Sequence, residues 1–254
     1  MNDEFYIGWE DKAAPGTKRF IRQIVLLLLI LCLGGALTLA ARQRTIGVSV
    51  FEWGNVKSFS GILKLDPYPH LLVPRPGAFG LETSFSTYYL VAPFKHGLDR
   101  EKFSALDGKT VFLKGTLIYR GNQTMVEAIP DSIKIADRQL PPPTGLETIS
   151  LGRQTFIGEI VDSKCYLGVM NPGQFNPHRD CATLCISGGI PPILFVRQKI
   201  GPPIYLLLAS ANNQPVNQAV LDLVAEPVQI TGEVERQGEL LILRADPSTY
   251  RRVY

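Results

Sequence analysis

Hydrophobic and polar positions divide this chain into one long apolar block followed by a succession of short runs. The eighteen residues from Ile24 to Ala41 read IVLLLLILCLGGALTLAA, with no charge and no polar face. A helix of that length rises about 27 Å, close to the roughly 30 Å hydrocarbon core of a bilayer. The pattern predicts a transmembrane helix over residues 21–41. A cleaved signal peptide is the rival, with Thr38-Leu39-Ala40 as its cleavage site, but the run exceeds the usual apolar region of about 7–15 residues. Lys12, Lys18, Arg19 and Arg22 precede the run and Arg42 and Arg44 follow it. That excess of cations predicts a cytoplasmic tail, residues 1–20, and an extracytoplasmic remainder, residues 42–254, at the plasma (inner) membrane. Phe5, Tyr6 and Trp9 give the tail aromatic anchors for the membrane surface or a partner.

From Ile46 onward the period shortens. Val48–Phe51, Phe59–Leu65, Thr87–Val91, Thr110–Tyr119, Thr124–Ile129 and Ile133–Ile135 read as strands, with an amphipathic segment at Arg100–Leu106. Pro67-Tyr68-Pro69-His70 reads as a break between the second and third of these. The order then recurs. Thr155–Val161, Ile193–Val196 and Ile204–Leu208 are strands, Val216–Val224 is amphipathic, and Val228–Glu235 with Glu239–Arg244 form a hairpin around Gln237-Gly238. Phe59-Ser60-Gly61-Ile62-Leu63 matches Phe156-Ile157-Gly158-Glu159-Ile160, Tyr88-Tyr89-Leu90-Val91 matches Ile204-Tyr205-Leu206-Leu207, and Gly108–Gly115 matches Glu226–Gly232. Five strands in about 100 residues, with a short helix before the last hairpin, is the plan of a small Greek-key barrel. The expected fold is all-β: two tandem OB-like five-stranded barrels, each with a short helix, behind one N-terminal transmembrane helix. The first barrel takes residues 42–138 and the second residues 151–254. Residues 139–150, with Pro141-Pro142-Pro143, form a semi-rigid linker.

The second copy carries about 19 more residues than the first between its first matched strands, within an insertion at residues 162–191. Every cysteine outside the apolar block lies there: Cys165, Cys181 and Cys185, with His178 among them. Pro177 and Gly188 punctuate a short helix on which His178, Cys181 and Cys185 fall at i, i+3 and i+7, on one face. Cys165, at the end of the preceding strand, can close over that face. Three thiols and an imidazole suit tetrahedral zinc, or Cu(I) with fewer ligands, although C-x15-C-x3-C is not a common zinc spacing. An iron–sulfur cluster normally takes four thiolates. The alternative is a disulfide of Cys165 with Cys181 or Cys185, leaving one thiol over, since thiols outside the cytoplasm oxidise. A third is a redox-active or cofactor-carrying thiol. Asp162 and Asp180 flank the insertion and could pair as acid/base groups, although turn or cap positions suit Asp at strand ends and helix starts better. His70 and His96 have no cysteine or carboxylate beside them in the sequence and read as surface histidines.

Composition narrows the function. The chain has 254 residues, 45% hydrophobic and 19% charged, with 26 basic and 23 acidic residues for a net charge of +3. That balance, with no basic stripe interleaved with aromatics, argues against a nucleic-acid binder. Nineteen prolines and 23 glycines suit a turn-rich β protein. No nucleophile-elbow, zinc-protease, phosphate-loop or dinucleotide motif is present, and no catalytic residue is assigned.

The pattern Gly158-Glu159-Ile160-Val161-Asp162-Ser163-Lys164-Cys165, then Cys181-Ala182-x-x-Cys185-Ile186-x-x-Gly189, then the strand bearing Gly232, resembles a group of uncharacterised exported bacterial proteins with OB-like domains. The resemblance covers about residues 155–245 and includes the three cysteines. It implies an OB-like fold and a place in the bacterial envelope. The resulting expectation is a membrane-anchored accessory or metal-handling subunit of an envelope complex, which meets other envelope membrane proteins while its first barrel acts as spacer or docking module. The alternative is a membrane-tethered thiol–disulfide or electron-transfer protein.

Overall fold

The computed structural model describes residues 12–43, 48–75, 85–141, 147–171 and 173–253. Phe5, Tyr6, Trp9, Arg44 and two of the three linker prolines, Pro142 and Pro143, lie outside the described residues. The chain divides into two units, at residues 1–47 and 48–254.

The first unit holds helix α1 (Pro15–Gln43). Proline suits a first helical position, because the N–H it lacks would have no partner there. Leu28, Ile30, Leu33 and Leu37 stand exposed around it. The helix is long and apolar enough to cross a membrane, with a mean hydropathy of 2.8 over its best window. Signal sequences near an N-terminus share both properties.

The second unit contains two closed five-stranded barrels. The first is built from β1 (Ser49–Phe51), β2 (Lys57–Lys64), β3 (His70–Pro74), β4 (Phe85–Val91), β5 (Thr110–Arg120), β6 (Gln123–Ala128) and β7 (Lys134–Ile135). The ladder runs β2, β3, β4, β6, β5 and back to β2, with β4 and β6 parallel and every other neighbour antiparallel. Strands β1 and β7 add to β5. The second barrel is built from β8 (Thr148–Asp162), β9 (Pro192–Val196), β10 (Ile204–Ala209), β11 (Pro227–Gln237), β12 (Leu240–Arg244) and β13 (Arg251–Arg252). Its ladder runs β8, β9, β10, β12, β11 and back to β8, again with one parallel pair, β10 and β12. Closure leaves few free edges.

The internal match of the sequence is a match of register. Gly61 pairs with Val111 in one barrel, and Gly158 pairs with Val228 in the other. At both glycines a Cβ would run into a carbonyl of the next strand, Leu72 O or Phe195 O. The backbone passes too close there for any side chain.

Three departures from expectation concern the elements. Strand β3 was not expected. Pro67 and Pro69 occupy only the turn, and the strand begins at His70 immediately after them. His70 is 3% exposed rather than on the surface, and its Nδ1 lies 2.9 Å from the Tyr68 carbonyl oxygen. Burial lowers its pKa. His96 is exposed, as expected. Strand β8 starts at Thr148, well before Thr155. Its exposed N-terminal half pairs with the end of β11, whose other edge holds β12. The amphipathic segments shorten to 3-10 turns at Ser104–Leu106 and Asn217–Leu223.

Each barrel has its own apolar interior. Leu63, Leu71, Leu90 and Leu113 fill the first, and Ile160, Leu194, Leu206 and Leu243 fill the second. A third cluster belongs to both. Tyr68, Tyr89, Ile118 and Met125 of the first barrel pack with Val161, Tyr166, Leu167, Ile193 and Leu207 of the second. Fully burying one such side chain stabilises by about 1.5–3 kcal/mol, so this shared core holds the barrels together. The Tyr68 hydroxyl accepts a hydrogen bond from the Val216 N–H at 3.0 Å across the same interface.

Candidate metal centre

The insertion leaves β8 at Asp162 and enters β9 at Pro192. In the first barrel only residues 65–69 bridge the equivalent strands. Asp162, Ser163, Lys164 and Cys165 are all buried. Buried polar groups require partners, and two of these side chains have several. Asp162 accepts from the Cys165 N–H at 2.7 Å through Oδ1, and from His178 Nε2 at 2.9 Å through Oδ2. One carboxylate thereby fixes both arms of the loop. Cys165–Val169 forms a single π-helical turn, closed by the Met170 N–H donating to the Cys165 carbonyl at 3.0 Å. Such turns recur at functional positions.

A 3-10 turn, Asn176–His178, leads into helix α2 (Arg179–Ser187). Asp180 is exposed in the first turn of α2, where a negative charge favours the helix dipole. Cys181 and Cys185 project from α2 toward Cys165. The donor atoms of Cys165, His178 and Cys181 lie within 4.8 Å of one another, and so do those of Asp162, Cys165 and Cys185. The structure thus gathers all four residues singled out by their spacing, and adds Asp162. Cys165, Cys181 and Cys185 carry free thiols; Cys165 and Cys185 are buried, while Cys181 is partly exposed and forms the open side.

A further residue comes from the first barrel. Lys95 lies between β4 and the Ser104–Leu106 turn. Its ammonium donates to Cys181 Sγ at 2.8 Å and lies 3.7 Å from Cys185 Sγ. The second barrel reciprocates with Lys164, which donates to the Ala92 and Phe94 carbonyls at 3.0 and 2.6 Å and pairs with Glu127. Between the lysines the two backbones touch. The Gly97 N–H donates to Gly188 O at 2.8 Å, and a Cβ on Gly188 would collide with the Lys95 carbonyl. The first barrel therefore contributes a side chain to the candidate site. Sequence reasoning missed Lys95 because its contacts span 86 and 90 positions. Gly188-Gly189 was the only local trace, read there as the end of a helix.

The electrostatics are asymmetric. The Cys165 thiol donates to the Cys185 sulfur, and that bond together with burial pushes the Cys165 pKa up. The same hydrogen bond, helped by the Lys95 ammonium, brings the Cys185 pKa down. Lys95 has its own pKa raised, first by the bond to Cys181. Cys185 is therefore the readier thiolate of this pair, and Lys95 remains a cation beside it. Thiolate sulfur and imidazole nitrogen in this number bind soft or borderline metal ions. Comparison with family models, with curated proteins and with solved structures returned no match.

Proposed function

We propose that this protein is a membrane-anchored, extracytoplasmic accessory module that handles a soft metal ion, Cu(I) or Zn(II), through Cys165, His178, Cys181 and Cys185. The observation that carries the reading is the convergence of Cys165, His178 and Cys181 on one point, with the imidazole held from behind by Asp162. A metal-bound histidine generally donates its other ring N–H to a carboxylate or carbonyl, which fixes its tautomer. With Nε2 turned to Asp162, Nδ1 is the nitrogen left to ligate. Three thiolates around a divalent cation carry one net negative charge, and around a monovalent cation two. The Lys95 ammonium offsets part of it.

Helix α1 serves in this reading as a retained anchor with its N-terminus in the cytoplasm. The barrels are OB-like. Numbering each barrel's strands 1 to 5 gives the circuit 1-2-3-5-4 with strands 3 and 5 parallel, which supports that assignment. The resemblance to exported bacterial OB-like proteins supports an envelope location, where other membrane proteins are the natural partners. A second reading, a tethered thiol–disulfide protein, draws on the contact between Lys95 and Cys181.

The test is a competition titration of the full chain in detergent with Cu(I) and with Zn(II), on wild type and Asp162→Asn. Asn keeps the shape but loses the charge that holds His178. We expect one tight equivalent in the wild type and an affinity lower by about 10–100-fold in the variant. Folding of the variant is checked by far-ultraviolet circular dichroism. No tight binding by the wild type, or equal affinities in two folded proteins, would overturn the reading.

A further inference from the structure

The hairpin of β5 and β6 turns at Arg120, whose side chain is 5% exposed in the interface between the barrels. Its guanidinium lies over the ring of Tyr166, 4.2 Å from the centroid. Both Nε and Nη2 are buried, and neither has a hydrogen-bond partner among the described residues. These two groups form the side-on edge of the guanidinium, the fork that grips two oxygens of a carboxylate or a phosphate. The ring face stabilises the positive charge. Directly across the ladder from Arg120 stands Ser49 of β1. Directly opposed residues present their side chains on one face of the sheet. The Ser49 Oγ is buried and likewise has no partner among the described residues. The nearby Tyr166 and Tyr205 hydroxyls are 2.8 Å apart and satisfy each other.

Leaving two guanidinium N–H groups buried and unpaired is costly, and orphaned polar atoms are rare in folded interiors. Here three such atoms belong to two residues opposed in one ladder, and one of the two carries a positive charge and a free bidentate edge. We propose that Arg120 and Ser49 form a receptor for one small oxyanion, a carboxylate or a phosphate group, seated between the barrels. Arg120 Nε and Nη2 take two of its oxygens, and the Ser49 hydroxyl donates to the same group. Free phosphate and the phosphate of a lipid headgroup present the same oxygens to this fork. Tyr166, under the guanidinium, is the residue next to Cys165, so the anion would buttress the turn that presents Cys165. The proposal does not depend on metal binding.

The test is thermal unfolding of the full chain in detergent, titrated with inorganic phosphate, with acetate and with a short-chain phosphatidate, against sodium chloride at matched ionic strength. Wild type should gain roughly 5 °C at a saturating concentration of the right anion. A rise with phosphate or acetate identifies a soluble ligand, and a rise with phosphatidate alone identifies a headgroup. Arg120→Met keeps the apolar contact with Tyr166 and removes the charge. It should melt no lower than wild type without added anion and show no response to any of the three. Arg120→Lys, a point charge without the fork, should lose most of the response. No anion-specific rise in wild type, or equal rises in wild type and Arg120→Met, would overturn the proposal.

Discussion

Cys185 gives up its proton more readily than a free thiol because Cys165 donates to its sulfur and the Lys95 ammonium stands 3.7 Å away. Replacing Lys95 by Met removes the second cause and leaves the first. The early step in a pH titration of thiolate ultraviolet absorbance should therefore move to higher pH in Lys95→Met, toward the ordinary thiol value of about 8.5. A depressed pKa in the folded state contributes stability that is complete above the unfolded value and is lost as pH falls through the folded one. Unfolding measured across that window should show wild type gaining stability with rising pH, and Lys95→Met gaining less. An unmoved titration step would mean that Lys95 does not act on the thiols. The sequence disclosed Cys165, His178, Cys181 and Cys185 because their spacing puts three of them on one helical face. It disclosed Asp162 as a turn or cap residue, or as an acid/base partner of Asp180, and not as the anchor of His178. The Asp162 bond to the Cys165 N–H fits the turn role, but its bond to His178 is tertiary and left no local signature.

Among elements, the strands with clear alternation were legible, and so was the repeated order of strands, short helix and hairpin. The losses have physical causes. Two prolines mask β3 because proline cannot donate to a ladder and is rare inside strands, yet both sit in the turn before it. The π-helical turn at Cys165–Val169 depends on one i to i+5 hydrogen bond that no residue pattern announces. The meeting of the Ala92–Gly97 segment with the end of α2 rests on Gly188 being bare. Gly188→Ala should therefore cost about 1–3 kcal/mol in denaturant unfolding, as overpacked sites do. It should also shift the thiolate titration in the same direction as Lys95→Met, because the Lys95 backbone must retreat. A variant as stable as wild type, with an unshifted titration, would show that the contact is not needed.

At the scale of the whole molecule, the two barrels were legible as a repeat, but their union was not. A shared core needs apolar residues on outward faces of both copies. Tyr89, Ile118, Tyr166 and Leu207 look in the sequence like ordinary interior positions. That union turns a cysteine loop on one barrel into a site to which both contribute, with Asp162 and His178 from one side and Lys95 from the other. The central claim is that this joint site binds one soft metal ion with all of its thiols. The most direct measurement isolates the full chain in detergent under reducing conditions, adds Cu(I) or Zn(II) stepwise, and counts alkylated cysteines by mass spectrometry at each step. The account predicts that a single equivalent of metal protects Cys165, Cys181 and Cys185 together and leaves Cys32 unprotected. Alkylation of the three at an unchanged rate after one equivalent, or protection only through a disulfide of Cys165 with Cys181 or Cys185, would contradict it.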